Sequence, residues 1–348
     1  FHVMRYTTLP NSNIKVSKIC LGTMTYGKQN SELEGHLQMD YAFERGVNFF
    51  DTAELYPVPA CEKTQGETER IIGTWLKKTS KRDKVILASK VAGPGSYTSH
   101  IRDNLSFKKE HINEAVNKSL ARLKTDYIDL YQLHWPERST NTFGQRGFKL
   151  DEDDTWQENF EEVLLTLKEL ISSGKIRKIG LSNENPWGLM KFLELSKKNL
   201  PKMITIQNPY SLLNRIFEVG NSEICIREEV GLLAYSPLAF GILSGKYREN
   251  KLPKNSRLEL FPNFKRYSSK NAIQATEKYY KIALENNISL TELSLAYVTD
   301  RPFVTSNIIG ATTMEQLTEN INSVEIKLNS EIIKKIEKVQ NLIPDPSP

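Results

Sequence analysis

Short apolar, β-branched runs alternate with longer stretches of helical periodicity along almost the whole chain, and this alternation constrains the fold more than any other feature. The runs are Lys18 to Leu21, Val47 to Phe50, Lys84 to Ala88, Tyr127 to Leu133, Lys178 to Leu181, Met203 to Ile206, Gly231 to Ala234 and Asn307 to Ile309. Between them, Ile112, Val116, Leu120 and Leu123 share one helix face, and Phe160, Val163, Leu164, Leu167, Leu170 and Ile171 repeat the stripe. Strands joined through helices run parallel. Eight such units close an α/β barrel, the (β/α)8 TIM barrel, more economically than they build two open sheets. The spacing predicts one barrel domain over 4–343. Ser31-Glu32-Leu33-Glu34 and Thr313-Met314-Glu315-Gln316 read as capping boxes at helix starts. Tyr6-Thr7-Thr8 and Ile14-Lys15-Val16, around Asn11-Ser12-Asn13, predict a β-hairpin that plugs the bottom of the barrel. Ile332, Ile333, Ile336 and Val339 predict an extra C-terminal helix.

Composition narrows the function. Lys plus Arg exceed Asp plus Glu by 47 − 42 = +5 over 348 residues, too thin a surplus for a nucleic-acid or membrane-surface protein. Only Cys20, Cys61 and Cys225 occur, widely spaced, so neither a disulfide framework nor a metal site is written here and a reducing, cytoplasmic compartment is expected. No apolar run approaches a membrane span, and the first residues show no charged-then-apolar leader pattern. Gly93-Pro94-Gly95 continues to Thr98, not to a third glycine, so the dinucleotide fingerprint of a Rossmann unit is absent. Gly241 to Lys246 is one residue short of a P-loop and is followed by Tyr247, not Ser or Thr. Nothing in the pattern sets an oligomeric state.

The chemistry gathers at strand ends, because a barrel builds its active site on the face where its strands terminate. Asp51, Lys90 and His134 each close a strand run, and Tyr56 follows just after the second. Singly they read as a helix cap, a solvent-reaching lysine, a core histidine and a rim aromatic. Together they make a proton donor: an ammonium near a phenol favours phenolate, and a carboxylate holds that ammonium charged. Three connections, 57–65, 135–156 and 238–269, are too long to be mere joints and read as covers for that face.

Leu21-Gly22-Thr23-Met24-Thr25-Tyr26-Gly27, Phe50-Asp51-Thr52-Ala53-Glu54-Leu55-Tyr56, Ala88-Ser89-Lys90, Asp129 to Trp135, Gly180-Leu181-Ser182-Asn183 and Ala234-Tyr235-Ser236-Pro237-Leu238 resemble, in order, the aldo-keto reductase superfamily. Tyr56 to Pro59, Glu62 to Gly66 and Ile206 to Arg215 are similar to its Tas-type NADP(H)-dependent members. The resemblance implies a catalytic tetrad: Tyr56 as general acid, Lys90 lowering its pKa, Asp51 supporting Lys90, and His134 orienting the carbonyl. It also implies NADP(H), with Ser182, Asn183 and Gln207 on the nicotinamide carboxamide and Tyr235 stacked on the ring. Ser236, Pro237, Leu238, Gly241 and Lys246 then fold over the pyrophosphate, with Thr23 and Met24 lining the same site. Gly310 and Thr312, leading into a helix, join Gln316, Glu319 and Asn320 on the adenosine, and Arg257 is the candidate for the 2′-phosphate, with Lys254, Lys265 and Arg266 as alternatives. The substrate implied is a small carbonyl compound, aldehyde, ketone or quinone, against a rim of Met24, Tyr26, Tyr56 and Trp135. Potassium channel β subunits also resemble this chain and bind NADP(H) mainly as regulatory partners, but they carry Asn where this chain has His134.

Overall fold

The computed structural model describes residues 3–348; Phe1 and His2 lie outside the described residues. Among them ten strands run in order: β1 (Tyr6–Thr8), β2 (Lys15–Ser17), β3 (Ile19–Gly22), β4 (Phe49–Asp51), β5 (Ile86–Val91), β6 (Ile128–Leu133), β7 (Ile176–Ser182), β8 (Met203–Pro209), β9 (Gly231–Tyr235) and β10 (Val304–Ile309). β3 to β10 pair in parallel, each with the next, and β10 returns to β3 to close the barrel. All eight runs become barrel strands. Several extend past the expected ends because neighbours supply partners there: Ser182 pairs with Gln207 and Pro209 with Tyr235. Closure leaves the barrel no open edge, so each of its strands pairs on both sides.

The helices are α1 (Glu32–Glu44), α2 (Glu67–Thr79), α3 (Lys109–Leu123), α4 (Phe160–Ser172), α5 (Pro186–Ser196), α6 (Asn221–Glu228), α7 (Arg257–Leu260), α8 (Lys270–Glu285), α9 (Leu290–Thr299), α10 (Met314–Asn322) and α11 (Ser330–Leu342). Ser31 and Glu34 form the expected box at α1, each side chain reaching the other's backbone N–H. At α10 only half of the expected box forms. Thr313 accepts from the Gln316 N–H, but Gln316 Oε1 accepts from the backbone N–H and hydroxyl of Thr312 instead of closing on the cap. A reciprocal box that the sequence reading passed over, Ser289 with Glu292, starts α9.

Apolar residues pack in two shells. Inside the barrel, Cys20, Phe49, Ala88, Leu130, Ile204, Leu233 and Ile308 meet Leu9, Ile14 and Val16 of the antiparallel β1–β2 hairpin, which plugs the bottom as expected. Outside it, the stripes on α3 and α4 lie against the strands, burying Ile112, Val116, Leu164 and Leu167 among others. Each fully buried side chain of this kind contributes about 1.5–3 kcal/mol. The three cysteines are free thiols, and among the described residues no helix is long and apolar enough to cross a membrane.

Candidate active site

Alternation along a strand decides which side chains enter the barrel. On β6, Leu130 faces the interior core, so Gln132 and His134, two and four residues on, face inward nearer the mouth. On β5 and β4 the same parity carries Ala88 to Lys90 and Phe49 to Asp51. Lys90 Nζ lies 2.6 Å from Asp51 Oδ2, 2.9 Å from the Thr52 carbonyl and 3.1 Å from the Tyr56 hydroxyl, with no exposed surface. The His134 ring meets that of Tyr56 edge-on at 5.7 Å. The four residues read from the sequence thus converge on one point.

Burial fights the charge on Lys90, but Asp51 and Tyr56 beside it outweigh the penalty and hold the ammonium above the ordinary lysine range. Burial also pushes the Tyr56 phenol up. Lys90 pulls it down, as expected, without cancelling the rise, so the phenol is not more acidic than usual. For His134, burial and then the Lys90 charge lower the pKa well below its ordinary value. At neutral pH the site therefore holds a protonated phenol, an ammonium and an uncharged imidazole.

Of the expected cofactor residues, Ser182, Asn183, Gln207 and Tyr235 are hydrogen-bonded to one another and to Asp51 and His134. Ser182 Oγ donates to the Gln207 carbonyl at 2.9 Å, and Asn183 Nδ2 donates to the His134 carbonyl at 3.0 Å. The Tyr235 hydroxyl donates to Asn183 Oδ1 at 2.5 Å. Gln207 turns its amide N–H groups inward, to Asp51 Oδ1 and Gln132 Oε1, both at 2.9 Å, which leaves its own carbonyl oxygen as an acceptor. Thr23 Oγ1 holds the Asp51 carbonyl at 2.7 Å. Along 236–241 the backbone coils through positive φ at Ser236, Ala239, Phe240 and Gly241. A side chain at Gly241 would collide with Lys246. Burial lowers the pKa of Lys246 and of half-buried Arg257, the Arg257 charge lowers Lys246 further, and among the described residues neither has an ion-pair partner. Two desolvated cations without a carboxylate fit phosphate oxygens. Lys254 and Lys265 are exposed, and Arg266 is engaged by the Pro348 carbonyl. On α10, Gln316 braces Thr312, and Asn320 donates to the Gly310 carbonyl at 3.1 Å. Glu319 accepts from Ser289.

The model of the aldo/keto reductase family matches residues 18–341. Protein tas of Escherichia coli is 46% identical over 347 residues, covering 99% of this chain and 100% of that protein. The chain belongs to the aldo/keto reductase family. The uncharacterized oxidoreductase YrpG of Bacillus subtilis is 34% identical over 97% of this chain and 96% of its own length. A Schizosaccharomyces pombe protein named for voltage-gated potassium channel subunit beta is 29% identical over 97% and 93%.

Within this aldo/keto reductase, Gln132 is a site residue that the sequence reading missed: its amide donates to Asp51 Oδ1 at 3.1 Å and accepts from Gln207. Its parity with Leu130 and His134 was the available signal. The rim also differs from expectation. Tyr26 does not reach it; the ring lies against Gly35, fully buried, and its hydroxyl donates to Gln38 at 2.9 Å. Met24 and Trp135 do reach it, packing with Leu55, Tyr56, Val58, Leu105 and Ile101. The Trp135 indole donates to the Pro94 carbonyl at 2.9 Å and lies so close to Gly93 that a Cβ there would be 2.2 Å from Nε1. Segment 135–156 is tied at its base, where Arg138 forks both oxygens of buried Glu184 and Asn185 donates to Thr140 and the Asn141 carbonyl. Farther out, Phe143 meets Trp135 edge-on at 5.8 Å.

Proposed function

We propose that this protein reduces aldehyde, ketone or quinone carbonyls with NADPH, Tyr56 giving the proton. The observation that carries this reading is the buried line from Asp51 through Lys90 to the Tyr56 hydroxyl, beside an uncharged His134. A neutral imidazole can donate one hydrogen bond to a carbonyl oxygen and so orient it, but it brings no positive charge there. The proton must then come from Tyr56, whose phenol stays protonated across neutral pH. As the proton leaves, the phenolate forms 3.1 Å from an ammonium that Asp51 keeps charged, which stabilises the transition state more than the ground state.

NADPH, when bound, supplies a hydride to the carbonyl carbon. Gln207 Oε1 and Asn183 Oδ1 would accept from its carboxamide, Tyr235 would offer a ring face, and Lys246 with Arg257 would hold phosphate oxygens. Free thiols at all three cysteines fit a reducing cytoplasmic location.

The test is NADPH consumption with a panel of carbonyl compounds. Tyr56→Phe should lower kcat about 100-fold or more while NADPH Kd changes less than about twofold. A variant with most of its kcat would remove Tyr56 from the role. Tight NADPH binding with no turnover of any panel member by the unaltered protein would favour a regulatory subunit, the reading toward which the channel-named relative points and against which His134 stands.

A further inference from the structure

We propose that Glu54 is a positioning residue for the proton donor, its carboxylate gripping the strand of Lys90 and thereby fixing the turn that presents Tyr56. The inference rests on the reading of Tyr56 as proton donor. Glu54 holds β5 at two points directly after the Lys90 side chain, on either side of Val91: its backbone N–H donates to the Lys90 carbonyl at 3.2 Å, and its Oε1 accepts from the Ala92 N–H at 2.8 Å. Ala92 lies just past the last residue of β5, so its N–H has left the ladder and takes the carboxylate instead. Arg102, from the connection between β5 and α3, forks both carboxylate oxygens, with Nη1 at 3.0 Å from Oε2 and Nη2 on Oε1. The pair is almost wholly buried, 3% exposed at Arg102 and 1% at Glu54.

From this anchor the chain needs two residues to reach Tyr56. The Tyr56 N–H closes a turn on the Ala53 carbonyl at 3.2 Å, its carbonyl accepts from Gly66, and Gln65 donates to the Glu54 carbonyl at 2.7 Å. Glu54, which touches neither the phenol nor the ammonium, therefore ties the turn that carries Tyr56 to the strand that carries Lys90. A buried ion pair is weak evidence of stabilisation for its own sake. What singles this one out is its point of attachment, at the carbonyl of the residue whose ammonium meets the phenol and at the N–H two residues on.

The experiment is a double-mutant cycle on the full chain, with folding followed by circular dichroism and NADPH affinity by fluorescence. Glu54→Gln keeps an acceptor for Ala92 but loses the fork, and should lower kcat about tenfold or more with NADPH Kd changed less than about threefold, since small misplacements of reacting groups carry large rate penalties. Added to Tyr56→Phe, the same substitution should cost less than about twofold of the residual rate, because its effect runs through the phenol. With Lys90 no longer held close, the phenol keeps its proton to higher pH, so the alkaline limb of kcat should move upward. Should Glu54→Gln fail to fold, Arg102→Lys, which keeps the charge and loses the bidentate geometry, takes its place in the cycle. Equal losses in the two backgrounds, or no loss in the first, would overturn the proposal while Tyr56 stands. A fully active Tyr56→Phe protein would overturn the parent reading, and this one with it.

Discussion

An uncharged imidazole buried beside an ammonium leaves a mark on stability. Above pH about 6.5 His134 is neutral in both folded and unfolded chains, and nothing is lost. Below that value the unfolded chain binds a proton that the folded one refuses, because burial and Lys90 depress the folded pKa. Stability is therefore lost as pH falls from about 6.5 toward the lowered folded value, by up to about 1.4 kcal/mol per pH unit for this one group. His134→Asn removes the titration. Urea unfolding of both proteins at several pH values should give a stability difference that is flat above neutrality and moves in the variant's favour below it; a difference independent of pH would mean the folded imidazole is not held neutral. Arg257 permits a second test at this scale. Only NADPH carries the 2′-phosphate, so Arg257→Ala should weaken NADPH roughly 10- to 100-fold and leave NADH almost unchanged, the expected loss for a charge-assisted contact. Equal weakening of both would take the 2′-phosphate away from Arg257.

Elements were legible in the sequence where their signal is local. The eight strand runs and the α3 and α4 stripes needed only the period of hydrophobicity, and Asp51, Lys90 and His134 needed only the rule that barrel strands end at the site. The contacts of Asp51 and Tyr56 with Lys90 followed from chemistry, but their other partners were not legible, because they come from far along the chain. Gln132 reaches Asp51 across 81 residues and Gln207 across 156, and Arg102 finds Glu54 across 48. Tyr26 failed for a related reason: its place beside Met24 in a motif says nothing about which face of the turn it occupies. The connection 135–156 shows what a loop can do once such ties exist. Its base is pinned by Glu184 and Asn185, while Phe143, half-exposed, reaches over to Trp135. An edge-on aromatic pair is worth about 0.5–1.5 kcal/mol beyond its area. Phe143→Ala should accordingly raise KM for bulky aromatic carbonyls several-fold while kcat for small aldehydes and NADPH Kd hold. Unchanged KM across the panel would show that the loop tip does not line the pocket.

At the scale of the whole molecule the barrel separates stability from chemistry along its axis. The mouth holds Asp51, Tyr56, Lys90 and His134, groups whose burial carries a cost and which are tied to one another by hydrogen bonds. The opposite end is closed by Leu9, Ile14 and Val16 of the hairpin against the apolar interior core of the barrel. Leu9 has no exposed surface. Truncating it leaves a cavity that the closed ring of strands around it cannot easily collapse, so Leu9→Ala should cost about 2–5 kcal/mol of unfolding free energy. The strand ends at the mouth are expected to stay in place, because eight strands closed into one ring lie between them and the plug. The variant, measured where it is fully folded, should keep its kcat and its NADPH Kd while its denaturation midpoint falls. A drop in kcat matching the drop in stability would mean that the plug sets the geometry of the mouth, and the barrel would have to be treated as one mechanical unit.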